Sequence, residues 1–461
     1  MLEPTPFILT RNFLCTSSPL SQFSEMLGFC YLHDNHSPVI GLLPQVIFTC
    51  EEHNFKHYMR EEDFSYNTIH SDAVIPLKQR LIEQFTVDLS RDELDLNLTG
   101  FNGGLMGFIS YDYAAQLQIE TAQNLAQPSL VLGIYDTFLK KHTDGWYVYC
   151  PQDLEHQVLE LLNSALDSSV NLENPIEKSP FQARWTLEEY SKAFQSVQDY
   201  IVAGDCYQIN LTQEFKANYN GSLNAFAPHL WQLTDAPYQG YLKHKNFELL
   251  SASPELFVEF RPNRKIVTRP IKGTMPRSEQ LDIDIANKQM LANSVKDQAE
   301  NVMIVDLLRN DLSLYAEIGS VKTNQLFEIE SFEQVHHMVS EVEATLRADI
   351  HPLTVLFDAL PGGSITGAPK IRAMQIIDEL EQSPRGAYCG SLGYLNWNGT
   401  GRWNILIRSL QKFEDTVSLW AGGGVTIAST CEAEYQECFD KVTAIIECFN
   451  EWQPHSTLMP E

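Results

Sequence analysis

Positive charge is scarce in this sequence of 461 residues. Lys and Arg total 32 against 60 Asp and Glu, a formal net charge of −28. Nucleic-acid phosphates and anionic membrane surfaces both require a basic patch, so neither is expected as a partner. Long apolar runs are also missing: none approaches the roughly 20 residues that span a bilayer. Met1 to Leu20 has no basic segment followed by an apolar core, so no secretory signal is expected. The nine cysteines are scattered and form no CxxC pair, which excludes a zinc ribbon or a disulfide framework. No short-period repeat or low-complexity tract is present. With 44% hydrophobic residues the chain can bury an ordinary globular core. The expectation is a soluble cytoplasmic protein.

What is present divides near residue 175. Before it lie short β-branched or aromatic runs, among them Val46–Phe48, Gly104–Ile109 and Trp146–Tyr149, which read as half-buried strands. Leu154 to Leu166 has helical periodicity. Asp167 to Arg184 is polar, contains two prolines and reads as a linker. Beyond it, Thr186 and Glu189 have capping-box spacing, and the helix they open should end at Gly204. Phe247 to Phe260 reads as two strands around a turn at Ser251–Pro254. Ser278 to about Arg309 reads as one long helix, and Asn404 to Gln411 as a strand. Ser429 with Glu432 reads as a second capping box, opening a helix to about Cys448. Adjacent strands favour α+β with antiparallel sheets over a parallel doubly wound sheet.

Two acidic pairs stand out. Asp297 and Glu300 are three apart, as are Glu434 and Glu437, so each pair shares one helix face. Oxygen-only ligands on two helix faces suit Mg²⁺, although either pair alone is equally a solvated surface. Pro361 to Lys370 begins like a phosphate loop but has Ala368-Pro369 where Lys-Ser/Thr is required, so no nucleotide site is expected. Its glycines, and Gly422, Gly423 and Gly424 after a strand, let a ligand approach backbone. Lys272, between Ile271 and Gly273, is a candidate amine nucleophile.

Taken in order, these segments resemble the chorismate-utilising enzymes. The match is strong from about Arg184 to Phe449: GDCYQINL (204–211), SASPELF (251–257), TRPIKGTMPR (268–277), KDQAENVMIVDLLRND (296–311), VHHMVS (335–340), LPGGSITGAPKIRAMQIIDELE (360–381), CGSLGY (389–394), AGGG (421–424) and EAEYQECFDKV (432–442). It is weaker in NGGLMGFISYD (102–112) and GIYDTF (133–138). The resemblance implies a four-layer β-α-α-β sandwich, two antiparallel sheets flanking a helical layer. Residues 1–175 would be the N-terminal part of the same body, 185–449 the chorismate-binding catalytic region, and 450–461 a tail.

The resemblance also implies roles. Lys272 stands where the aminodeoxychorismate branch carries a lysine and anthranilate synthases a small residue. Isochorismate and salicylate synthases place a lysine base where this chain has Gln208, a substrate-binding position. Lys272 would attack chorismate, with Glu255 as general acid and His337 beside the leaving oxygen. Mg²⁺ would be held by Glu300 and Glu437, with Asp297 and Glu434 as further ligands or water-orienting groups. Thr366, Gly367, Tyr394, Arg408, Gly422, Gly423, Gly424 and Lys441 would bind substrate. The product would be 4-amino-4-deoxychorismate, for 4-aminobenzoate and folate synthesis. With no glutaminase segment in the chain, a glutamine amidotransferase subunit would supply ammonia in a heterodimer. Pro237 and Tyr238 match a segment with which many relatives bind tryptophan, but Asp34 stands where a serine is common. Arg402-Trp403-Asn404 also departs from the family pattern, which keeps a degraded chorismate-binding subunit as an alternative beside an anthranilate synthase component I.

Overall fold

The computed structural model describes residues 9–14, 19–34, 37–52, 54–70, 77–85, 87, 100–121, 126–167, 176–332 and 335–453. Residues 168–175 of the expected linker and 454–461 of the expected tail lie outside these. Two antiparallel sheets of 12 strands each form the body. The first begins with Leu9–Leu14, continues through Ser37–Leu42, Cys30–Asp34, Tyr238–His244, Phe247–Ser253, Ser409–Phe413, Thr416–Val425 and Gln208–Asn218, and ends with the short Gln182–Ala183. The second runs from Ile271–Pro276 and Val335–Thr345 through Leu256–Arg261, Gly401–Asn404, Ser391–Asn396 and Gly104–Ile109 to Tyr66–His70. Strands from both sides of residue 175 are hydrogen-bonded within each sheet.

The α+β class with two antiparallel sheets holds. Where the sheets meet over one of the two apolar cores they do so directly, without the helical layer expected between them. Phe108 of the second sheet stacks on Phe247 of the first with ring centroids 5.1 Å apart. Met106, Tyr135, Phe138 and Leu392 fill the same cluster. The helices pack at the other ends of the sheets. Leu187–Ala203, Lys370–Glu381 and Cys431–Asp440 lie on the Gln208–Asn218 and Thr416–Val425 strands, while Leu281–Ala292 and Val295–Ser313 lie on the edge of the second sheet. Among the described residues no helix is long and apolar enough to cross a membrane.

Local chemistry explains most boundaries. Thr186 and Glu189 close the expected capping box, and Gly204 ends that helix in the left-handed conformation. The run 278–309 is two helices, because the Ser294 hydroxyl accepts the Asp297 N–H and starts a new one at Val295. The second capping box does not form. Thr430 is the N-cap, and Ser429 instead donates to Glu434 Oε1 at 2.6 Å.

Two expected strands are crossovers between sheets. Phe247–Ser253 belongs to the first sheet and Leu256–Arg261 to the second, so 247–260 is not a hairpin. Pro254 has no N–H to continue a ladder. Likewise 404–411 is not one strand: Gly401–Asn404 is in the second sheet and Ser409–Phe413 in the first. Arg408 sits at the return with φ +51, a conformation that costs a non-glycine residue energy unless its surroundings hold it. The crossovers hold each other. Ser253 Oγ donates to Ile405 O (2.5 Å) and accepts Glu255 N–H (3.2 Å); Ile405 N–H reaches Glu255 O (3.0 Å) and Ala252 N–H reaches Arg408 O (3.2 Å).

Ser253→Ala leaves the buried Glu255 N–H without its acceptor at this junction, a loss of about 2 kcal/mol, and should lower turnover beyond what unfolding explains. Thr186→Ala, distant from it, should cost about 1 kcal/mol and leave turnover unchanged. Urea unfolding with initial rates on both variants checks the contrast.

Candidate active site

A cavity of about 370 Å³ opens where the crossovers meet the helix-bearing ends of the sheets, and all four carboxylates of the acidic pairs line it. Asp297 and Glu300 come from the first turns of Val295–Ser313, Glu434 and Glu437 from Cys431–Asp440. Glu434 is buried. Its Oε1 takes the Ser429 hydroxyl, and its Oε2 has no hydrogen-bond partner among the described residues. Burial, with Glu437's charge adding, pushes its carboxyl above the usual range against the pull of Ser429, Lys296 and Lys441. A Cβ built on Gly423 would fall 2.7 Å from Glu437 Oε1 and 2.9 Å from Glu434 Oε2, so only glycine leaves that space beside the carboxylates open. Among the described residues no three acidic, His or Cys side chains form a ready-made metal cluster. The orphaned oxygen, the open space and the all-oxygen donor set nevertheless fit Mg²⁺, which takes few protein ligands and keeps waters.

Lys272 reaches the cavity through a ladder defect. Ile271–Pro276 pairs with Val335–Thr345 at Ile271↔Val339 and again at Thr274↔His337, with a register shift between. Lys272 and Gly273 stand in that break, and Gly273 takes φ +78, which glycine permits without strain. Glu255, delivered by the first crossover, is buried and accepts the Ser364 hydroxyl at 3.2 Å. Burial raises its pKa, and the Lys272 ammonium, Ser364 and Lys441 only partly offset this. His337 shares its Nδ1 with Thr274 Oγ1 at 2.8 Å. Burial, then the Arg408 charge, lower its pKa to about 4, so the imidazole is neutral near pH 7. Its neighbour His336 is buried between Asp284 (3.1 Å) and Ser331 (2.8 Å), outside the cavity lining.

Arg408, from the second crossover, lines the cavity with no hydrogen bond or ion pair to its guanidinium among the described residues. A free guanidinium suits bidentate binding of a ligand carboxylate. Lys441 lines it too, donating to Gly422 O and Glu437 Oε1, each at 2.7 Å. Gln208 lies against Gly424, where a Cβ would meet its Nε2 at 2.1 Å. Gly422 and Gly424 line the wall beside them.

Six expected residues are not in the cavity lining: Tyr394, Tyr238, Pro237, Thr366, Gly367 and Gly423. Tyr394 is not in the cavity wall: it lies with Tyr238, Leu32 and His33 around a separate recess of about 20 Å³. Alternation along the Ser391–Asn396 strand is the reason, since that strand crosses the direct sheet-to-sheet contact. Thr366 and Gly367 lie beneath the lining, Thr366 donating to Gly362 O (3.1 Å) and Gly367 pairing with Ile209. Pro237 is not in the recess with Tyr238; it lines another of about 60 Å³ that shares Pro254, His337 and Arg408 with the cavity. Tyr388, Asn210 and Ser364, not singled out from sequence, do line the cavity. Tyr388 precedes the CGSLGY segment by one residue and was missed for that reason; Trp420, stacked on it with centroids 6.2 Å apart, carried no motif. Arg402-Trp403-Asn404 stays clear of the cavity. Trp403 is fully buried in the core, Arg402 pairs with Glu259, and Asn404 accepts the Leu392 N–H.

The fold and site define an enzyme that handles a small anionic molecule among carboxylates, a lysine and a buried acid. The chain belongs to the chorismate binding enzyme family, whose profile matches residues 43–447. It is 40% identical over 387 residues to aminodeoxychorismate synthase component 1 of Escherichia coli (strain K12), covering 82% of this chain and 83% of that one. It is 34% identical over 372 residues to an anthranilate synthase component 1 of Haloarcula marismortui, covering 76% of each. Among solved structures, anthranilate synthase component I from Streptococcus pneumoniae TIGR4 superposes with a TM-score of 0.75 at 25% identity, over 88% of this chain and 91% of that one. Like its relatives, the chain is a chorismate-utilising enzyme.

Glu255 has a raised folded-state pKa, so its carboxylate burdens the native state once pH rises above the folded value and not below the unfolded one. Glu255→Gln should therefore be more heat-stable than the parent at pH 8, equal to it near pH 3.5, and slower by at least 100-fold in turnover. Thermal melts across pH with parallel rate measurements check both halves. Arg408→Ala should raise the chorismate KM by 10-fold or more, read in initial-rate titrations.

Proposed function

We propose that the chain converts chorismate and ammonia to 4-amino-4-deoxychorismate, as the large subunit of a cytoplasmic aminodeoxychorismate synthase. The observation that supports this best is Lys272 in the same cavity as the buried acid Glu255. The unprotonated Lys272 amine attacks carbon 2 of the ring and forms a C–N bond. The ring double bonds shift, and the carbon 4–oxygen bond breaks. Glu255 gives its proton to the leaving hydroxyl, with neutral His337 beside it, so water departs. Ammonia then bonds at carbon 4, the double bonds shift back, and Lys272 is expelled. One difficult displacement thus becomes two easier ones. Arg408 and Lys441 hold the substrate carboxylates, and Gln208 lies in the wall without the lysine base that water activation would need. Mg²⁺, held by Glu300 and Glu437 with Asp297 and Glu434 orienting waters, would supply charge neutralisation at the ring carboxylate.

The ammonia comes from a glutamine amidotransferase subunit, as the component 1 names of the relatives imply. The degraded-binder alternative rested on Arg402-Trp403-Asn404. Those residues lie outside the cavity lining, which removes its support.

The purified chain with chorismate, Mg²⁺ and ammonium at alkaline pH should form aminodeoxychorismate, identified by mass. Lys272→Ala should lose at least 100-fold in rate and all covalent adduct in intact-mass spectra of the quenched enzyme. Anthranilate as the product would overturn the assignment, and so would full activity of Lys272→Ala.

A further inference from the structure

Beneath the cavity floor lies a buried ion pair that the reaction does not use. Glu381, the last residue of its helix, and Arg385 are each 1% exposed. Arg385 Nη2 and Nε donate to Glu381 Oε1 and Oε2 at 2.7 and 2.8 Å. The other three guanidinium hydrogens reach Asn210 O (2.7 Å), Ile365 O (3.2 Å) and Cys389 Sγ (3.7 Å). All five donors of the fork are thereby engaged. Glu381 Oε1 also accepts Thr212 N–H (3.0 Å) and Oγ1 (2.7 Å). The guanidinium lies 4.7 Å over the Tyr111 ring and 5.8 Å over the Tyr388 ring.

Three of these anchor points sit at the cavity. Asn210 and Ile365 line it directly, and Cys389 follows Tyr388, which lines it. They belong to three segments remote in sequence: the strand carrying Gln208, the turn carrying Ser364, and the loop before Ser391–Asn396. Asn210 Nδ2 in turn donates to Ile365 O at 2.9 Å. A buried ion pair is weak grounds for stability, because desolvating two charges offsets most of their attraction. A fork that binds three walls of one cavity has a geometric use instead.

We infer that the Glu381–Arg385 pair is a positioning device. It sets the walls bearing Gln208, Ser364 and Tyr388, and through Ser364 the orientation of the Glu255 carboxyl. Neither residue is in the cavity lining. The inference rests on the cavity being the site of chorismate turnover.

The test uses the full chain with ammonium as nitrogen donor. Glu381→Leu combined with Arg385→Met removes both charges and leaves none stranded. It should keep the parent's thermal midpoint within a few degrees and its chorismate KM within threefold, while kcat falls 10- to 100-fold. Thr212→Val loses one bond to the pair without uncovering a charge and should lower kcat 3- to 10-fold at unchanged KM. It keeps the question open to measurement if the double variant does not fold. Parental kcat in Thr212→Val, or a kcat loss in the double variant matched by its unfolded fraction, would overturn the inference. Absence of product from the parent chain would instead count against the proposed reaction. In that case the inference falls with it, because it rests on turnover in this cavity.

Discussion

Twice the chain abandons one sheet for the other, at Pro254-Glu255 and again between Asn404 and Ser409, and the site depends on those two crossovers being tied together. A strand in a ladder alternates its side chains between two faces, so it cannot aim successive residues at one point. A strand that ends can. Glu255 leaves the first sheet directly after Ser253, and Arg408 returns to it directly before Ser409. The Ser253 hydroxyl binds the Ile405 carbonyl and the Glu255 N–H together. Two residues 153 positions apart in sequence are thereby set on one cavity. Lys272 arrives by a related route, in a ladder defect on the neighbouring edge.

Electrostatics at this place differs from that of the chain. Over the whole sequence acids outnumber Lys and Arg 60 to 32. In the cavity wall the acids are Glu255, Asp297, Glu300, Glu434 and Glu437, facing Lys272, Lys296, Arg408 and Lys441, so the ratio is five to four. A dicarboxylate entering a wall whose acids outnumber its cations meets no surplus of fixed positive charge. The negative surface has a separate consequence. It repels an anionic substrate at long range, and at physiological ionic strength that repulsion is screened beyond roughly 8 Å. The local balance therefore decides binding.

Much of this was legible in the residues. Capping chemistry at Thr186 and Glu189, the strand at Gly104–Ile109 and the antiparallel class follow from local rules. So does the same-face placement of each carboxylate pair. The two crossovers were not legible. Phe247 to Phe260 and Asn404 to Gln411 both read as regular β structure, because alternation records burial and not which sheet does the burying. Ser294 was hidden inside a helical pattern, and Ser429 looked like a cap because its hydroxyl's true partner, Glu434, lies two residues beyond the capping position. In both cases a short polar side chain could satisfy either of two neighbours, and tertiary packing chose.

Tyr394 and Tyr388 show how a motif can be right in kind and wrong in residue. Both tyrosines fall in one short glycine-rich segment, and a ligand-facing hydroxyl was expected there. Tyr394 lies within the Ser391–Asn396 strand, on the same face as Leu392, which packs against Gly240 of the opposite sheet. Its ring, edge-on to Phe101 at 5.7 Å, is committed to that contact. Tyr388 lies before the strand begins, in the loop that Arg385 and the Asp112 carboxylate hold through the backbone at 385 and 386. A residue just outside a ladder is free to face a cavity; one six positions later, inside it, is not. The same distinction separates Trp403, paired across the second sheet to Val258 and Gly393, from Arg408 five residues on. The unusual Arg402-Trp403-Asn404 run is therefore a repacking of the sheet interior, and the cavity keeps its full set of acid, lysine and arginine.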